Sequence, residues 1–519
     1  MQEFMQRFGA SVTGTLSGFD RVRFRGTLRL LCNSGGMLSW LNQNKVDLKD
    51  FDAFTMGLTK RVTEASLRRM TDAGRPVEYV SSSTVSKEEV ALAIARRDGI
   101  QEGPVCALTC VEPCMSYSIR RSRDKTNHVL DYCLRKCLHI YHYLIDPVVG
   151  WMNIRVQTWA PFQIKVCLNG RRWLAQQMDR KELGYHQREN CFVCLEDPIK
   201  AQALMDRQLQ TSWPQLLDRF RREVNPAYGR IFAAAPVDYY WTADETEWAT
   251  DLLFRTPHEL ASVYPKLIRH AMVSMGSVEV MRFLGQQVES RIHHNFKGEV
   301  MTDLRQRPEG IRVKSRCRGN SVKMYDKQGS VLRVETTIND AGAFKVYRRP
   351  EGKPKAKLEW LKLRKGVADM ARRAEVSDKS NQRYMQALAS ADLQATVGEL
   401  AAKVCCPVKY RGRRMRALRP LDAKDTALLE VVSRAEFGIN GMRNRDLREA
   451  IYGPDGKNKA KTKRRSAAIS RTLALLRAHG LIEKVRGTHR YMVTQTGRNT
   501  ITAILAAAAA TPHSLNKAA

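Results

Sequence analysis

Alternating and three-to-four spacings of apolar positions divide the chain into segments of different character. The run FDRVRFRGTLRL over 19–30 alternates as a strand does and sets Arg21, Arg23 and Arg25 on one face. The spacing over 58–70 predicts a helix, closed by Gly74-Arg75-Pro76 ahead of a strand over 77–80. Ser86, with Glu89 three residues on, predicts a capped helix over 86–97. Strand-like runs follow at 105–111, 138–145 and 151–168, and then a helix over 172–183. Helices over 257–270 and 279–288 lead into alternating runs at 310–315, 321–325 and 331–338, with Lys327-Gln328-Gly329 as a turn. This mixture predicts an α+β fold: a body with a mixed, mostly antiparallel sheet, divided into units at 1–215 and 216–345. Residues 346–420 read as a basic helical connector. It has an exposed Pro/Gly/Lys-rich stretch, helices over most of 358–404, and a basic ribbon at 408–420.

The segment 421–511 carries the most specific pattern. Ala427, Leu428, Val431 and Val432 give 423–433 an apolar face behind an Asp422 cap, and 444–452 is a second short helix ended by Gly453-Pro454. A basic loop leads to Ser466 as the cap of a third helix over 467–479, with Ile469, Leu473 and Leu476 inward and Gly480 at its stop. Strands at 481–485 and 489–493 and a helix over 497–510 complete a C-terminal winged-helix domain. The phrase SRTLALLRAHGLIEKVRGTHRYMVTQTGR (470–498) resembles the recognition helix and wing of MarR- and ArsR-like domains.

That resemblance implies that the third helix enters a DNA major groove, with Ser470, Arg471, Thr472 and Arg477 as contacts. Arg486, His489 and Arg490 of the wing would then lie near phosphate or the minor groove. Lys461, Lys463, Arg464 and Arg465, with Lys409, Arg411, Arg413 and Arg414 of the upstream ribbon, extend the nucleic-acid track. The competing readings are a solvated helix face and a protein-contact or dimerisation module, which makes a homodimer one candidate assembly.

Charge strengthens the nucleic-acid reading. Among 519 residues, 87 Lys+Arg face 53 Asp+Glu, a formal net charge of +34, which attracts polyanions whatever the fold. DNA is favoured over RNA. No apolar run approaches the ~20 residues of a membrane span and the N-terminal residues lack a secretory pattern, so no membrane partner is expected. Twelve cysteines over this length do not make a disulfide scaffold, and the compartment reads as cytoplasmic.

Two constellations offer chemistry. Cys110, Cys114, Cys137, His139 and His142 combine zinc-ligand types at short spacing, although strand alternation would turn His139 and His142 to opposite sides. Their bland reading is buried thiols and core histidines. Glu335, Asp326, Glu299 and Asp303 are carboxylates near neighbouring strands, the arrangement by which nucleases hold Mg or Mn at a scissile phosphate. Their bland reading is salt bridging to the many arginines.

The segment NSVKMYDKQGSVLRVETTIN (320–339) is faintly similar to a strand pair of rolling-circle replication initiators, though the paired-histidine motif of that class is absent. LTCVEPC, KCLHIYHY, YDKQGSVLRVETTIN and RNRDLR resemble a widespread group of uncharacterised bacterial proteins of similar length. No phosphate-loop motif G-x4-G-K-[ST] occurs. Two functions stay open: a mobile-element or replication-type protein, enzymatic as a metal-dependent nuclease or strand-transfer enzyme, and a non-enzymatic regulator or nucleoprotein component.

Overall fold

The computed structural model describes residues 2–509 except 83, 123–126, 286–299, 390–396, 421, 435–436, 438–440, 455–457 and 486. The alternating arginine run belongs to a long strand, β1 (Val12–Leu28). The short β2 (Val77–Tyr79) precedes a pair of 19-residue strands, β3 (Gly103–Arg121) and β4 (His128–Asp146). Then come β5 (Gly150–Gln157), β6 (Ile164–Asn169) and the separate hairpin β7 (Tyr185–Arg188) and β8 (Cys191–Leu195). The remaining strands of the body are β9 (Tyr239–Phe254), β10 (Val300–Arg307), β11 (Gly310–Cys317), β12 (Asn320–Lys327) and β13 (Val331–Ile338).

These strands, the β7–β8 hairpin aside, form an 11-stranded sheet in the order β10-β11-β12-β13-β9-β1-β6-β5-β4-β3-β2. Its pairings are antiparallel, except that β2 runs parallel to β3. The expected α+β class with a mostly antiparallel sheet is therefore observed. Segments 1–215 and 216–345 share the sheet, because β9 inserts between β1 and β13, and position 215/216 falls within the helix Trp213–Val224.

Side-chain alternation gives the sheet two unlike faces. On the apolar face Val22, Phe24, Ile140, Ile154, Val156, Ile164 and Val166 are buried in one core with residues of the helices Ser34–Gln43, Phe51–Asp72 and Trp213–Val224. Along β11 to β13, the same face packs against Tyr264 and Leu267 and against Tyr384, Met385 and Leu388 of the helix Met370–Ala389. The buried Asn381 of that helix caps the junction, donating to the Trp248 and Val334 carbonyls at 3.1 and 3.0 Å.

The opposite face is polar and partly open. The helix Lys87–Arg97 covers the β3–β4 end, where Cys106, Leu108, Cys110, Tyr143 and Trp151 are buried. The helices Gly170–Asp179 and Pro198–Asp206, with the β7–β8 hairpin, cover the other end against β1 and β9. Close backbone approach makes this cover possible: a Cβ at Gly170 would collide with the Phe19 carbonyl oxygen.

Two connector and C-terminal expectations need correction. A two-stranded hairpin, Lys345–Arg348 with Glu359–Lys362, occupies the place where helix was expected from 358. The ribbon at 408–420 begins as a second hairpin, Val408–Tyr410 with Arg413–Met415, whose turn places Arg411 and Gly412 at φ 49° and 77°. Ser466 does not cap the third C-terminal helix. That helix is Lys459–Ala478, capped by Asn458, whose Oδ1 accepts from the Lys461 amide at 3.0 Å. Ala, Lys and Arg are strong helix formers, so the basic stretch continues the helix rather than forming a loop.

Elsewhere the C-terminal pattern holds. Helices Ala423–Val432 and Asn444–Tyr452, the hairpin Ile482–Lys484 with Tyr491–Val493, and a last helix Gln495–Ala509 enclose a core containing Leu429, Leu447, Ile469, Leu473, Leu476, Ile482, Ile501 and Ile504. Among the described residues, no helix is long and apolar enough to cross a membrane.

The two contrasted glycines predict opposite responses to a methyl group. Gly170→Ala should cost about 1–3 kcal/mol or more, because backbone must yield. Gly57→Ala, in mid-helix with nothing within 4 Å of its new Cβ, should add about 0.5–1 kcal/mol. Urea-unfolding midpoints measure both, and equal destabilisation by the two would contradict this packing.

Candidate functional site

The polar face is built in register. Asp303, Lys314, Lys323 and Glu335 are successive cross-strand partners on β10, β11, β12 and β13, so they form one row. Arg21 pairs with Glu247 and Arg23 with Glu245 across β1 and β9. A β-bulge breaks the alternation between Phe19, opposite Trp248, and Arg21, opposite Glu247. The extra residue is Asp20. A bulge re-aims side chains, and here it lets Asp20 and Arg21 both engage charged partners of the polar face.

The result is a buried carboxylate cluster. Oxygens of Asp20, Glu247 and Glu335 lie within 4.8 Å of one another, an arrangement that can hold a divalent cation such as Mg or Mn. Lys323 sits among them, its Nζ donating to Glu247 Oε1 at 3.0 Å and Glu335 Oε1 at 2.5 Å. Arg21 reaches Glu247 at 2.9 Å. Behind the cluster the fully buried Arg333 grips Asp251 through two hydrogen bonds, at 2.6 and 2.9 Å, and approaches Asp20 at 3.3 Å. Arg171 meets Asp251 from the covering helix at 2.9 Å. Asn190 of the β7–β8 turn donates to Asp20 Oδ2 at 3.0 Å, whereas Asp20 Oδ1 has no hydrogen-bond partner.

Electrostatics separate the two glutamates. Burial and the adjacent Glu335 charge raise the pKa of Glu247. Burial also works against ionised Glu335, but Lys323, joined by Arg333 and Arg21, outweighs it and holds this carboxyl below its ordinary value. The cluster thus contains one carboxyl inclined to keep a proton and one inclined to lose it.

Cations flank the cluster on both sides. Toward the β10 edge stand Arg305, Arg312, Lys314 and Arg316, with Asp303 paired to Arg312 and Arg316 at 3.2 and 3.1 Å. Burial, then the neighbouring Lys323, Arg312 and Arg316, depress the pKa of Lys314 against the opposing pull of Asp303. Toward β4 a cavity of about 480 Å³ is lined by Arg21, Arg23, Arg155 and Lys165, with the acids Glu88, Asp244 and Glu245 among them. It adjoins a second cavity of about 240 Å³, lined by Arg25, Tyr132, His139 and Gln163 and again by Arg155 and Lys165. Arg155 Nη2 donates to His139 Nε2 at 3.0 Å, so His139 is neutral and its Nδ1–H bonds the Cys137 carbonyl at 3.0 Å. Burial, then Arg155, pushes its pKa down to about 4.

Of the carboxylates singled out from sequence, only Glu335 joins the cluster. Asp326 has the opposite strand parity from Lys323 and Tyr325, and its Oδ1 accepts from the Ile311 amide. Asp303 is three strands from Glu335 in the shared row. Glu299 lies outside the described residues. Asp20, Glu247 and Lys323 were missed; their signal was charge within otherwise apolar strands, as in ETEWATD over 245–251.

The zinc expectation is corrected. Among the described residues the sole group able to hold a metal is the carboxylate trio, so Cys110, Cys114, Cys137, His139 and His142 do not assemble one. Alternation is the reason: His142 points into the core, bonded to Ser66 Oγ at 2.8 Å, while His139 faces Arg155.

At the C terminus, Lys461, Lys463, Arg464, Ser470 and Arg471 are exposed along the helix Lys459–Ala478, as are His489 and, on the basic hairpin, Lys409, Arg411, Arg413 and Arg414. Arg465 lies over the Tyr452 ring, and Arg477 lies between the Tyr410 and Tyr491 rings, which ties the basic hairpin to the helix. Thr472 donates to the Ala468 carbonyl of its own helix at 3.1 Å. Arg490 is a correction: at 7% exposure it is not a surface contact. Arg486 lies outside the described residues. Comparison of the chain with protein-family models, curated proteins and solved structures finds no match.

Neutral buried His142 ties stability to pH. Burial, then Arg69, depresses its pKa to about 3, below an unfolded value of about 6.5. As pH falls the unfolded chain takes the proton first, so this contribution to stability is intact above about pH 6.5 and declines toward pH 3, by up to about 1.4 kcal/mol per unit. His142→Asn should flatten the fall in urea midpoint between about pH 6.5 and 5; an unchanged slope would mean that His142 is not its source.

Proposed function

We propose that this protein binds nucleic acid, DNA ahead of RNA, along the polar face of its sheet. The observation that carries this reading is the set of cationic side chains on both flanks of a buried carboxylate cluster on one face. The C-terminal unit supports it as a winged helix. Its exposed helix face, with Lys463, Arg464, Ser470 and Arg471, suits a duplex groove, and the hairpin bearing Lys409, Arg411, Arg413 and Arg414 adds phosphate contacts beside it. Arg464→Ala with Arg471→Ala should weaken duplex binding and lower its salt dependence by about one to two counterions. Unchanged affinity and slope in a salt titration would remove this helix from the interface.

For the enzymatic form of the reading, Asp20, Glu247 and Glu335 would hold Mg or Mn, which supplies Lewis acidity at a phosphodiester. Asp20 Oδ1 accepts no hydrogen bond and lies 3.8 Å from Arg171 Nε, which leaves it a lone pair for a cation. Arg21 and Arg23, which line the adjoining cavity, would orient the phosphate. This is the chemistry expected of a mobile-element or replication-type protein.

One observation favours a non-enzymatic regulator or nucleoprotein component instead: the Lys323 ammonium already compensates Glu247 and Glu335, so the cluster needs no metal to be stable. Lys323→Met distinguishes the readings. Without a cation, the variant should lose about 3–5 kcal/mol at neutral pH. If the trio is a metal site, Mn2+ should restore much of the lost thermal stability, and Glu335→Gln in the same background should abolish that rescue. Wild-type cleavage of labelled single- or double-stranded DNA that needs Mg2+ or Mn2+ and is lost in Glu335→Gln supports the enzyme; binding without cleavage, with no Mn2+ rescue, overturns it.

A further inference from the structure

The connector hairpin shows an outward face that its packing does not explain. Val346 pairs with Leu361 and is buried in the core beside Phe344. By strand alternation Lys345, Tyr347, Trp360 and Lys362 therefore point outward together. Tyr347 and Trp360 are direct cross-strand partners with ring centroids 5.5 Å apart, and they remain 55% and 64% exposed. Lys345 and Lys362 are also direct partners, and neither has an ion-pair partner among the described residues. Two ammonium groups facing each other across strands destabilise a hairpin, and the ring contact between Tyr347 and Trp360 leaves more than half of each side chain in water. Both features suit a ligand with flat unsaturated faces and repeated negative charge.

The surroundings match. The loop joining the strands adds exposed Lys353, Lys355 and Lys357. A groove of about 340 Å³ runs between the hairpin and the helix Met370–Ala389, bounded by Tyr347, Trp360, Arg372, Arg383 and the paired Lys379 and Glu375.

We propose that this face is a stacking platform for single-stranded nucleic acid, with bases on Trp360 and Tyr347 and phosphates at Lys345 and Lys362. The proposal rests on the nucleic-acid-binding reading above and adds a strand preference to it. A duplex hides its base faces, whereas an unpaired strand offers them to aromatic side chains. A purely apolar protein partner would gain nothing from the lysine pair, which selects a polyanion.

The test uses the full chain with fluorescent oligothymidylate, oligouridylate and a duplex of equal length. Trp360→Ala should weaken single-strand binding about five- to a hundredfold, Trp360→Phe should keep most of it, and duplex affinity should change less than about twofold. Circular dichroism and thermal melting of these surface variants should match the wild type. Comparison of the two oligonucleotides assigns the platform to DNA, RNA or both. Single-strand affinity unchanged in Trp360→Ala and Tyr347→Ala, while Arg23→Ala with Arg25→Ala weakens it, overturns the platform alone. Failure of the wild type to bind any of the three probes overturns the general reading as well.

Discussion

The pairing of Arg333 with Asp251 is the constraint around which the body is organised. Both side chains are wholly buried, on adjacent central strands, and the guanidinium is satisfied by Asp251, Asp20 and the Asn190 carbonyl. A guanidinium cannot shed its proton to escape burial, so each charge must find its counterpart in place. That demand holds β9 against β13, brings the bulge of β1 alongside, and draws the β7–β8 turn and the helix Gly170–Asp179 down as a cover. Arg171 completes the arrangement from above. Segments far apart in the chain therefore meet at one electrostatic junction rather than at a purely apolar one.

The same junction prepares the candidate site. Because Arg333 and Arg171 take up Asp251 and Asp20, the two glutamates at this depth are left to Lys323 and Arg21. The resulting cluster is balanced but asymmetric, with Glu247 and Glu335 shifted in opposite directions. Low polarity beneath the sheet and cations at its open flanks make the site sensitive to any added charge, whether a metal ion or a phosphate. Beyond it, the connector hairpin and the C-terminal helix place further exposed cations on separate elements, so the positive charge of the chain is distributed over several surfaces.

Local chemistry made much of the fold legible. The alternation at Arg21, Arg23 and Arg25, the turn at Lys327-Gln328-Gly329, the Ser86 cap and the helix Asn444–Tyr452 follow from interactions within a few residues, and each is observed. The basic helix was misread at its start because Ser466 and Asn458 are both good caps, and only the propensity of the intervening Lys, Arg and Ala residues chooses between them.

By itself, the sequence determined the α+β class, the periodicity of the main strands, the excess of positive charge and the presence of Glu335 in a polar strand face. Tertiary structure alone decided which carboxylates meet. Asp20 joins Glu247 and Glu335 through a bulge that strict alternation would forbid, and Asp326 is excluded by parity on a strand only one place away. Strand order and register are long-range properties, set by which faces bury and which charges can be compensated. Neighbouring residues carry no record of either.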